Sequence, residues 1–133
     1  MTMKKMILIT DDDAEMRDEI SAILKDEGYE VRTAGDGRAA LNLIKKHKFD
    51  LLLLDIKMPV MTGFEVLKEL NVKKISIKTI VLTGSILASS LPDEKDMSNV
   101  EKTKILKLAD TVMNKPFDVV KLLEKIKRYT SEK

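Results

Sequence analysis

The apolar runs of this sequence end at or are followed by residues that could do chemistry: carboxylates, a hydroxyl and an ammonium group. Three consecutive aspartates, Asp11–Asp13, follow the first run, and Asp55 follows a run of four leucines. Thr83 ends a third run, and Lys115-Pro116 follows a fourth. Carboxylate oxygens are ligands that Mg²⁺ prefers in proteins. A carboxylate beside Mg²⁺, a hydroxyl and an ammonium can accept a phosphoryl group, so these residue types predict phosphoryl transfer if the fold brings them together.

Each of these residues also has an ordinary structural explanation when it is taken alone. Asp13 can cap the helix that follows it, and Asp55 can open a turn. Thr83 can cap a helix, and a lysine at a strand end, such as Lys115, is common on protein surfaces. The functional interpretation therefore depends on whether the fold places these side chains at one edge.

Carboxylates that lie close together need a compensating cation. Two unit charges ~4 Å apart repel by about 4 kcal/mol at an effective dielectric constant of roughly 20. The chain has no cysteine and one histidine, which excludes a thiolate zinc site, an iron–sulfur cluster, a disulfide scaffold and a multi-histidine metal site. Magnesium is therefore the cation that the remaining oxygen donors favour.

The apolar pattern predicts five repeats of a strand followed by a helix. With 133 residues, 44% of them hydrophobic, the chain is long enough to form one domain with a buried core. Such alternation predicts a parallel sheet covered by helices on both faces, so we expect a single doubly wound α/β domain. Ligands bind such sheets beyond the carboxyl ends of the strands. The predicted strands are Met6–Ile9, Tyr29–Thr33, Phe49–Leu54, Thr79–Leu82 and Thr111–Met113.

Apolar residues at helical spacing predict the helices between and after these strands. The first helix is expected to end at Gly28 and the second to begin at Asp36. A short third helix is expected over residues 64–70, and the fourth is expected to begin near residues 90–93. The predicted apolar positions of helices one, two, four and five are Met16, Ile20, Ile23 and Leu24; Ala40, Leu41 and Ile44; Met97, Val100, Ile105 and Leu108; and Val119, Leu122, Leu123 and Ile126.

Five segments of the chain closely resemble the receiver domain of bacterial response regulators, the aspartate-phosphorylated proteins of two-component signalling. They occur in the family's order, and the resemblance covers essentially the whole chain. It implies the flavodoxin-like (βα)5 fold, with a parallel five-stranded sheet in the order 2-1-3-4-5. The segments are Ile7–Asp13, Asp50–Pro59, Gly63–Glu65, Val81–Gly84 and Asn114–Phe117.

The resemblance assigns specific roles to the acidic residues. Asp55 resembles the phosphoacceptor and is also a ligand of the magnesium ion. Asp12 is similar to the direct magnesium ligand, and Asp11 to the one that acts through water. The backbone carbonyl of Lys57 completes the protein's share of the metal site.

The resemblance also implies a switch, from which this sequence departs in two ways. Thr83 resembles the switch hydroxyl and Lys115 the phosphate-binding ammonium, and the bond to Pro116 is cis in the family. An aromatic residue is usual three positions before the lysine, but Val112 stands there. Extra residues are also expected within 84–110, where they would either form a recognition surface of this protein or simply cover the sheet.

The resemblance implies a phosphoprotein switch rather than an enzyme, with two kinds of partner. A sensor histidine kinase or histidine phosphotransferase would supply the phosphoryl group. A downstream protein effector would respond, or the phosphoryl group would pass on in a phosphorelay. We expect residues 1–133 to be one receiver domain without an output domain. Two alternatives are a magnesium-dependent phosphatase or phosphotransferase of the aspartyl-phosphate type, and a degenerate receiver used only for binding.

Charge and hydropathy narrow the remaining classes of function. The 24 basic and 22 acidic residues give a net charge of +2, which does not indicate direct binding of nucleic acid. The longest wholly apolar runs are four residues, too short for membrane insertion. No secretory signal is visible at the amino terminus. We therefore expect a cytoplasmic protein.

Overall fold

A computed structural model describes residues 4–84 and 99–131 of the chain. Within these residues, five strands alternate with five helices. The strands are β1 (Met6–Thr10), β2 (Glu30–Ala34), β3 (Leu51–Asp55), β4 (Lys78–Thr83) and β5 (Thr111–Asn114). The helices are α1 (Ala14–Asp26), α2 (Gly37–Lys46), α3 (Gly63–Val72), α4 (Asn99–Leu106) and α5 (Val119–Thr130).

The five strands form one parallel sheet in the order β2-β1-β3-β4-β5. The predicted α/β class and the 2-1-3-4-5 order are therefore confirmed. Strand order reverses between β1 and β3, where Thr10 lies opposite Leu54. The next pair along the sheet aligns Asp55 with Leu82. The residues that follow β1 and β3 are therefore neighbours at the carboxyl edge.

Apolar side chains cover both faces of the sheet. Leu52 and Leu54 pack with α2, α3 and α4 on one face, whereas Leu51 and Leu53 pack with α1 and α5 on the other. All of β3 is buried, as a strand covered on both faces must be. The phosphoacceptor candidate Asp55 thus ends the most enclosed strand of the described sheet.

Side chains cap the helices that lead away from the carboxyl edge. Asp13 accepts a hydrogen bond from the Met16 N–H, and Asp36 accepts one from Ala39. Gly28 follows the end of α1 with a φ of 99°, a conformation that favours glycine. The predicted roles of Asp13, Asp36 and Gly28 are confirmed.

Two predicted strands begin too early in the sequence. The apolar pattern predicts that the third strand begins at Phe49, but β3 begins at Leu51. Phe49 is buried against the core and beside the His47 ring. Its apolar side chain therefore reflects burial in the core, although the residue does not belong to the strand. β2 begins at Glu30 rather than Tyr29, whose N–H bonds back to the Leu24 carbonyl at the end of α1.

The predicted apolar face of the fourth helix is also wrong. Val100 and Leu108 are 68% and 43% exposed, and Leu108 lies beyond the helix. At about 100° per residue, Val100 and Ile105 point in different directions, and the buried positions are instead Lys102 and Leu106, which are four residues apart. Val119 is likewise 38% exposed at the start of α5.

Some predicted features of the segment before α4 lie outside the described residues. They are the predicted helix start at Ser90, Pro92 and Asp93, the predicted apolar position Met97, and the apolar residues Ile86, Leu87 and Leu91.

None of the described helices has the length and apolar character needed to cross a membrane.

Candidate functional site

Three carboxylates meet at the carboxyl edge of the sheet. Asp11 and Asp12 follow β1, and Asp55 ends β3. One oxygen from each lies within 4.8 Å of the other two. Asp11 and Asp55 are buried, whereas Asp12 is exposed. The cluster thus contains two buried carboxylates and one that is exposed to solvent.

The Asp11 residue is held by its backbone and by both carboxylate oxygens. Its N–H donates to the Ala34 carbonyl at 3.1 Å. Oδ1 accepts the Asp13 N–H at 3.0 Å, and Oδ2 accepts the Lys115 ammonium at 2.9 Å. The Arg17 guanidinium donates to its carbonyl oxygen at 2.7 Å. Asp11 therefore has a fixed orientation toward the other acids.

Lys115 brings a positive charge into the carboxylate cluster. Its Nζ lies 2.9 Å from Asp11 Oδ2 and 3.4 Å from Asp55 Oδ1. Burial opposes the charged form, but the hydrogen bond to Asp11 and the negative charges of Asp55 and Asp11 outweigh it and raise the pKa of Lys115. The Lys115–Pro116 peptide bond is cis. Lys115 therefore remains an ammonium and links the two buried acids.

The carboxyl group of Asp55 is harder to ionise than an ordinary aspartate. Burial and the negative charge of Asp11 raise its pKa to about 6, against the opposing effect of Lys115. Burial disfavours the charged form because it removes water from around the carboxylate. Any cation bound beside Asp55 would restore the ionised form, which is the nucleophilic one.

The donors at this edge fit a divalent cation. Three carboxylates and one ammonium carry a formal net charge of −2 when all are ionised. A dication neutralises that charge, and the three clustered donors are all oxygens, as Mg²⁺ requires. The exposed side of the cluster, at Asp12, leaves room for the waters that Mg²⁺ retains. The cluster is therefore a candidate divalent metal site.

Thr83 and Val112 lie on the neighbouring strands β4 and β5. Thr83 ends β4 and is 4% exposed. Its carbonyl accepts the backbone N–H of Lys115 at 2.8 Å, which joins the ends of two strands beside the acids. Val112 pairs with Val81 and is partly buried against the α2–α4 face. A branched aliphatic side chain therefore occupies the position where an aromatic one is usual.

The loop between β3 and α3 is pinned by two close backbone contacts that the sequence analysis missed. A Cβ on Gly63 would lie 2.4 Å from the Asp55 carbonyl oxygen, and one on Gly37 would lie 2.5 Å from the Met61 carbonyl oxygen. The Gly37 N–H also donates to that Met61 carbonyl at 3.1 Å. Lys57, two residues after Asp55, has an exposed side chain in this loop. The sequence signal for these contacts was the glycine at the first position of each helix, Gly37 in α2 and Gly63 in α3.

Comparisons with known proteins identify the family of this chain. A family model described as response regulator receiver domain matches residues 7–127. The chain is 40% identical to response regulator RR06 of Streptococcus pneumoniae over 121 residues, which cover 91% of this chain and 51% of that protein. It thus spans about half the length of that relative. It is 32% identical to sporulation initiation phosphotransferase F of Bacillus subtilis over 127 residues, which cover 96% of this chain and 94% of that protein.

A solved response regulator structure has the same fold. The response regulator TrrA of Thermotoga maritima, solved in complex with Mg²⁺ and BeF, superposes with a TM-score of 0.75 at 33% identity and covers 94% of this chain and 98% of its own. TrrA has also been solved in complex with the histidine kinase ThkA, with a TM-score of 0.76. By its family-model match, its relatives and its fold, this chain belongs to the response regulator receiver family.

Proposed function

We propose that this receiver domain accepts a phosphoryl group on Asp55. The observation that carries the proposal is the convergence of Asp11, Asp12 and Asp55 with the Lys115 ammonium between two of them. In the transfer from a phosphohistidine, a carboxylate oxygen of Asp55 attacks the phosphorus atom. The bond between phosphorus and the histidine nitrogen breaks at the same time. Lys115 supplies positive charge for the oxygens of the transferring group.

Magnesium completes the proposed site. Asp12 would bind the ion directly, Asp11 through water, and Asp55 and the Lys57 carbonyl would supply the other protein ligands. When bound, Mg²⁺ contributes positive charge that favours the ionised nucleophile and the transferring phosphoryl group. The all-oxygen carboxylate cluster and its net negative charge support this assignment.

Thr83 and Lys115 would detect the phosphoryl group after transfer. Thr83 lies at the end of β4, one residue beyond the partner of Asp55 in the sheet. Its hydroxyl would donate to a phosphoryl oxygen, while Lys115 would exchange its contact with Asp55 for one with the phosphoryl group. Pro116 follows Lys115 at the start of the loop into α5.

The phosphoryl donor in this proposal is a phosphohistidine on a sensor histidine kinase or a histidine phosphotransferase. The complex of TrrA with a histidine kinase supports a kinase partner. The match over nearly the full length of a protein named as a phosphotransferase supports a phosphorelay role. In either case the output is through a protein partner, and the expected site of action is the cytoplasm.

Acetyl phosphate and intact-mass spectrometry test the proposal. With Mg²⁺, the parent chain should gain one phosphoryl group, and the adduct should be stable in acid and labile in base. Asp55→Asn should gain none, because the amide is not a nucleophile. Asp50→Asn is a matched control, since Asp50 lies at the opposite edge of the sheet, and it should be labelled like the parent. Labelling of Asp55→Asn would overturn the assignment, and turnover of an external phosphate ester would instead favour a phosphatase.

A further inference from the structure

Arg17 binds the backbone beside the acidic cluster. It lies in the first turn of α1, and its Nη1 donates to the Asp11 carbonyl oxygen at 2.7 Å. This bond uses a different atom from the Lys115 contact, which is with the Asp11 side chain. Arg17 is therefore a second cation at the site, and it acts on the main chain of Asp11.

The β2–α2 loop leaves room for the guanidinium. A Cβ on Gly35 would lie 3.2 Å from Arg17 Nη1 and 3.8 Å from its Cζ. The preceding residue, Ala34, accepts the Asp11 N–H with its carbonyl oxygen. The two backbone polar groups of Asp11 are thus held by different elements, the N–H by the end of β2 and the C=O by α1.

Fixing the Asp11 carbonyl also orients Asp12. The peptide group between Asp11 and Asp12 is planar, so the direction of that carbonyl sets the plane that leads to the Asp12 Cα. Asp12 has an exposed side chain, which gains little orientation from packing. The backbone that carries it is therefore the means by which the protein can aim its carboxylate.

We propose that Arg17 is a positioning residue of the metal site, which holds the Asp11 carbonyl in the space left by Gly35 so that the Asp11 and Asp12 carboxylates face Asp55. This inference rests on the proposed function, since it assumes that the carboxylates bind Mg²⁺. Arg17 itself touches neither the ion nor the phosphoryl group in this proposal. Partners that orient metal ligands in this way typically change metal affinity by about 10- to 100-fold when they are removed.

The charge of Arg17 predicts the opposite effect on magnesium, which makes the inference testable. A guanidinium near the acids repels a dication, so loss of the charge alone would tighten Mg²⁺ binding. Loss of the positioning bond would weaken it. The sign of the change in affinity therefore separates the two effects.

Magnesium titration followed by NMR measures that sign. Arg17→Met, which removes the charge and the donor, should raise the Mg²⁺ dissociation constant by about tenfold. Arg17→Lys keeps the charge and one donor and should recover part of the affinity. Gly35→Ala keeps Arg17 but displaces its guanidinium by a few tenths of an ångström, and it should weaken binding about two- to threefold while leaving thermal stability unchanged or higher. Arg128→Met, in the last turn of α5, controls for net charge and should bind like the parent.

Amide hydrogen exchange in the metal-free proteins tests the positioning separately from metal binding. In Arg17→Met, the amides of Asp11 and Asp13 should exchange faster than in the parent. The Asp11 N–H donates to the Ala34 carbonyl and the Asp13 N–H to the Asp11 carboxylate, so both bonds depend on the position of Asp11. If the parent bound no Mg²⁺, the proposed function would fail, and the exchange rates would still decide whether Arg17 fixes this loop. Unchanged exchange, or Mg²⁺ binding by Arg17→Met as tight as in the parent, would overturn the inference. If Arg17→Met failed to fold, Arg17→Lys and Gly35→Ala would carry the same test.

Discussion

At the amino edge of the sheet, aspartates bind the main chain of a neighbouring strand, whereas at the carboxyl edge they face one another. Asp50 precedes β3, and its carboxylate accepts the Met6 N–H of β1 at 2.8 Å. Asp110 precedes β5, and its carboxylate accepts the Thr79 N–H of β4 at 2.8 Å. Each aspartate also donates its own N–H to the carbonyl of the same partner. The two amino-edge aspartates therefore make the same reciprocal pair.

The direction of the backbone explains this difference. Parallel strands begin with free N–H groups, which carboxylates satisfy, and they end with carbonyl groups, which carboxylates cannot bind. At the carboxyl edge, Asp11, Asp12 and Asp55 therefore keep negative charge that the strands do not compensate. Uncompensated charge costs stability but leaves carboxylate oxygens available to a cation. Aspartate is thus structural at the amino edge, whereas Asp11, Asp12 and Asp55 at the carboxyl edge are the proposed functional residues.

Substitutions at the two edges of the sheet should differ most in their effect on the affinity for Mg²⁺. Asp12→Ala should weaken Mg²⁺ binding by at least about tenfold, and more than Asp11→Ala, because only Asp12 is proposed to contact the ion directly. Asp110→Ala should leave the affinity unchanged. Calorimetric titration of the three variants measures this. Parent-like affinity in Asp12→Ala would remove it from the ligand set.

Ionisation of Asp55 should make the metal-free protein less stable at neutral pH than at acidic pH. Its pKa is about 6 in the folded protein against an ordinary value of 3.8. The stability linked to the protonated form is present below about pH 4 and is lost as the pH rises through about 6. Asp55→Asn stays neutral, so at about pH 7.5 it should exceed the parent by about 1–3 kcal/mol in free energy of unfolding.

Urea unfolding in EDTA at about pH 4 and pH 7.5 checks this expectation for Asp55. The difference between Asp55→Asn and the parent should vanish at the lower pH. Saturating Mg²⁺ at the higher pH should also reduce it, because the cation compensates the same charge. Equal stability of the two proteins at about pH 7.5 without metal would contradict a destabilising charge at Asp55.

Two lysines provide a matched comparison of ion pairs at the two edges. Lys115 contacts Asp11 at 2.9 Å with side chains 25% and 4% exposed, whereas Lys78 contacts Asp110 at 3.7 Å with side chains 56% and 31% exposed. Lys115→Ala should lower the free energy of unfolding by about 1–2 kcal/mol without metal, since it leaves a buried carboxylate unpaired. Lys78→Ala should cost less than about 1 kcal/mol. Denaturant titration compares them, and equal losses would contradict the difference in burial.

The amino-edge pairs should contribute modestly to stability and nothing to the chemistry. Asp110→Ala leaves the N–H of the buried Thr79 without this acceptor, so it should lower the free energy of unfolding by about 1 kcal/mol. Asp110→Asn keeps an acceptor oxygen and should recover most of the loss. Asp12→Ala should instead raise the unfolding temperature without metal, because it removes a crowded charge. Calorimetry of the metal-free variants tests these opposite signs.

Much of the fold followed from short-range patterns in the sequence. The run of leucines before Asp55 predicted a strand covered on both faces, and Asp13 and Asp36 predicted the starts of α1 and α2. Caps and apolar periodicity depend on residues a few positions apart, so the sequence displays them directly. The fourth helix failed this test because the spacing from Val100 to Ile105 does not keep one helical face.

The order of the elements also determined which acids meet. Parallel strands place their carboxyl ends at one edge of the sheet, so the sequence alone predicts that the carboxylates after β1 and β3 lie together. Only the tertiary structure decided how they interact. The bond from Lys115 to Asp11 joins residues 104 positions apart, and the burial that raises the pKa of Asp55 comes from elements packed around it. Arg17 and Gly35 meet because α1 lies beside the β2–α2 loop, and such contacts depend on register and packing, which act between segments distant in the sequence.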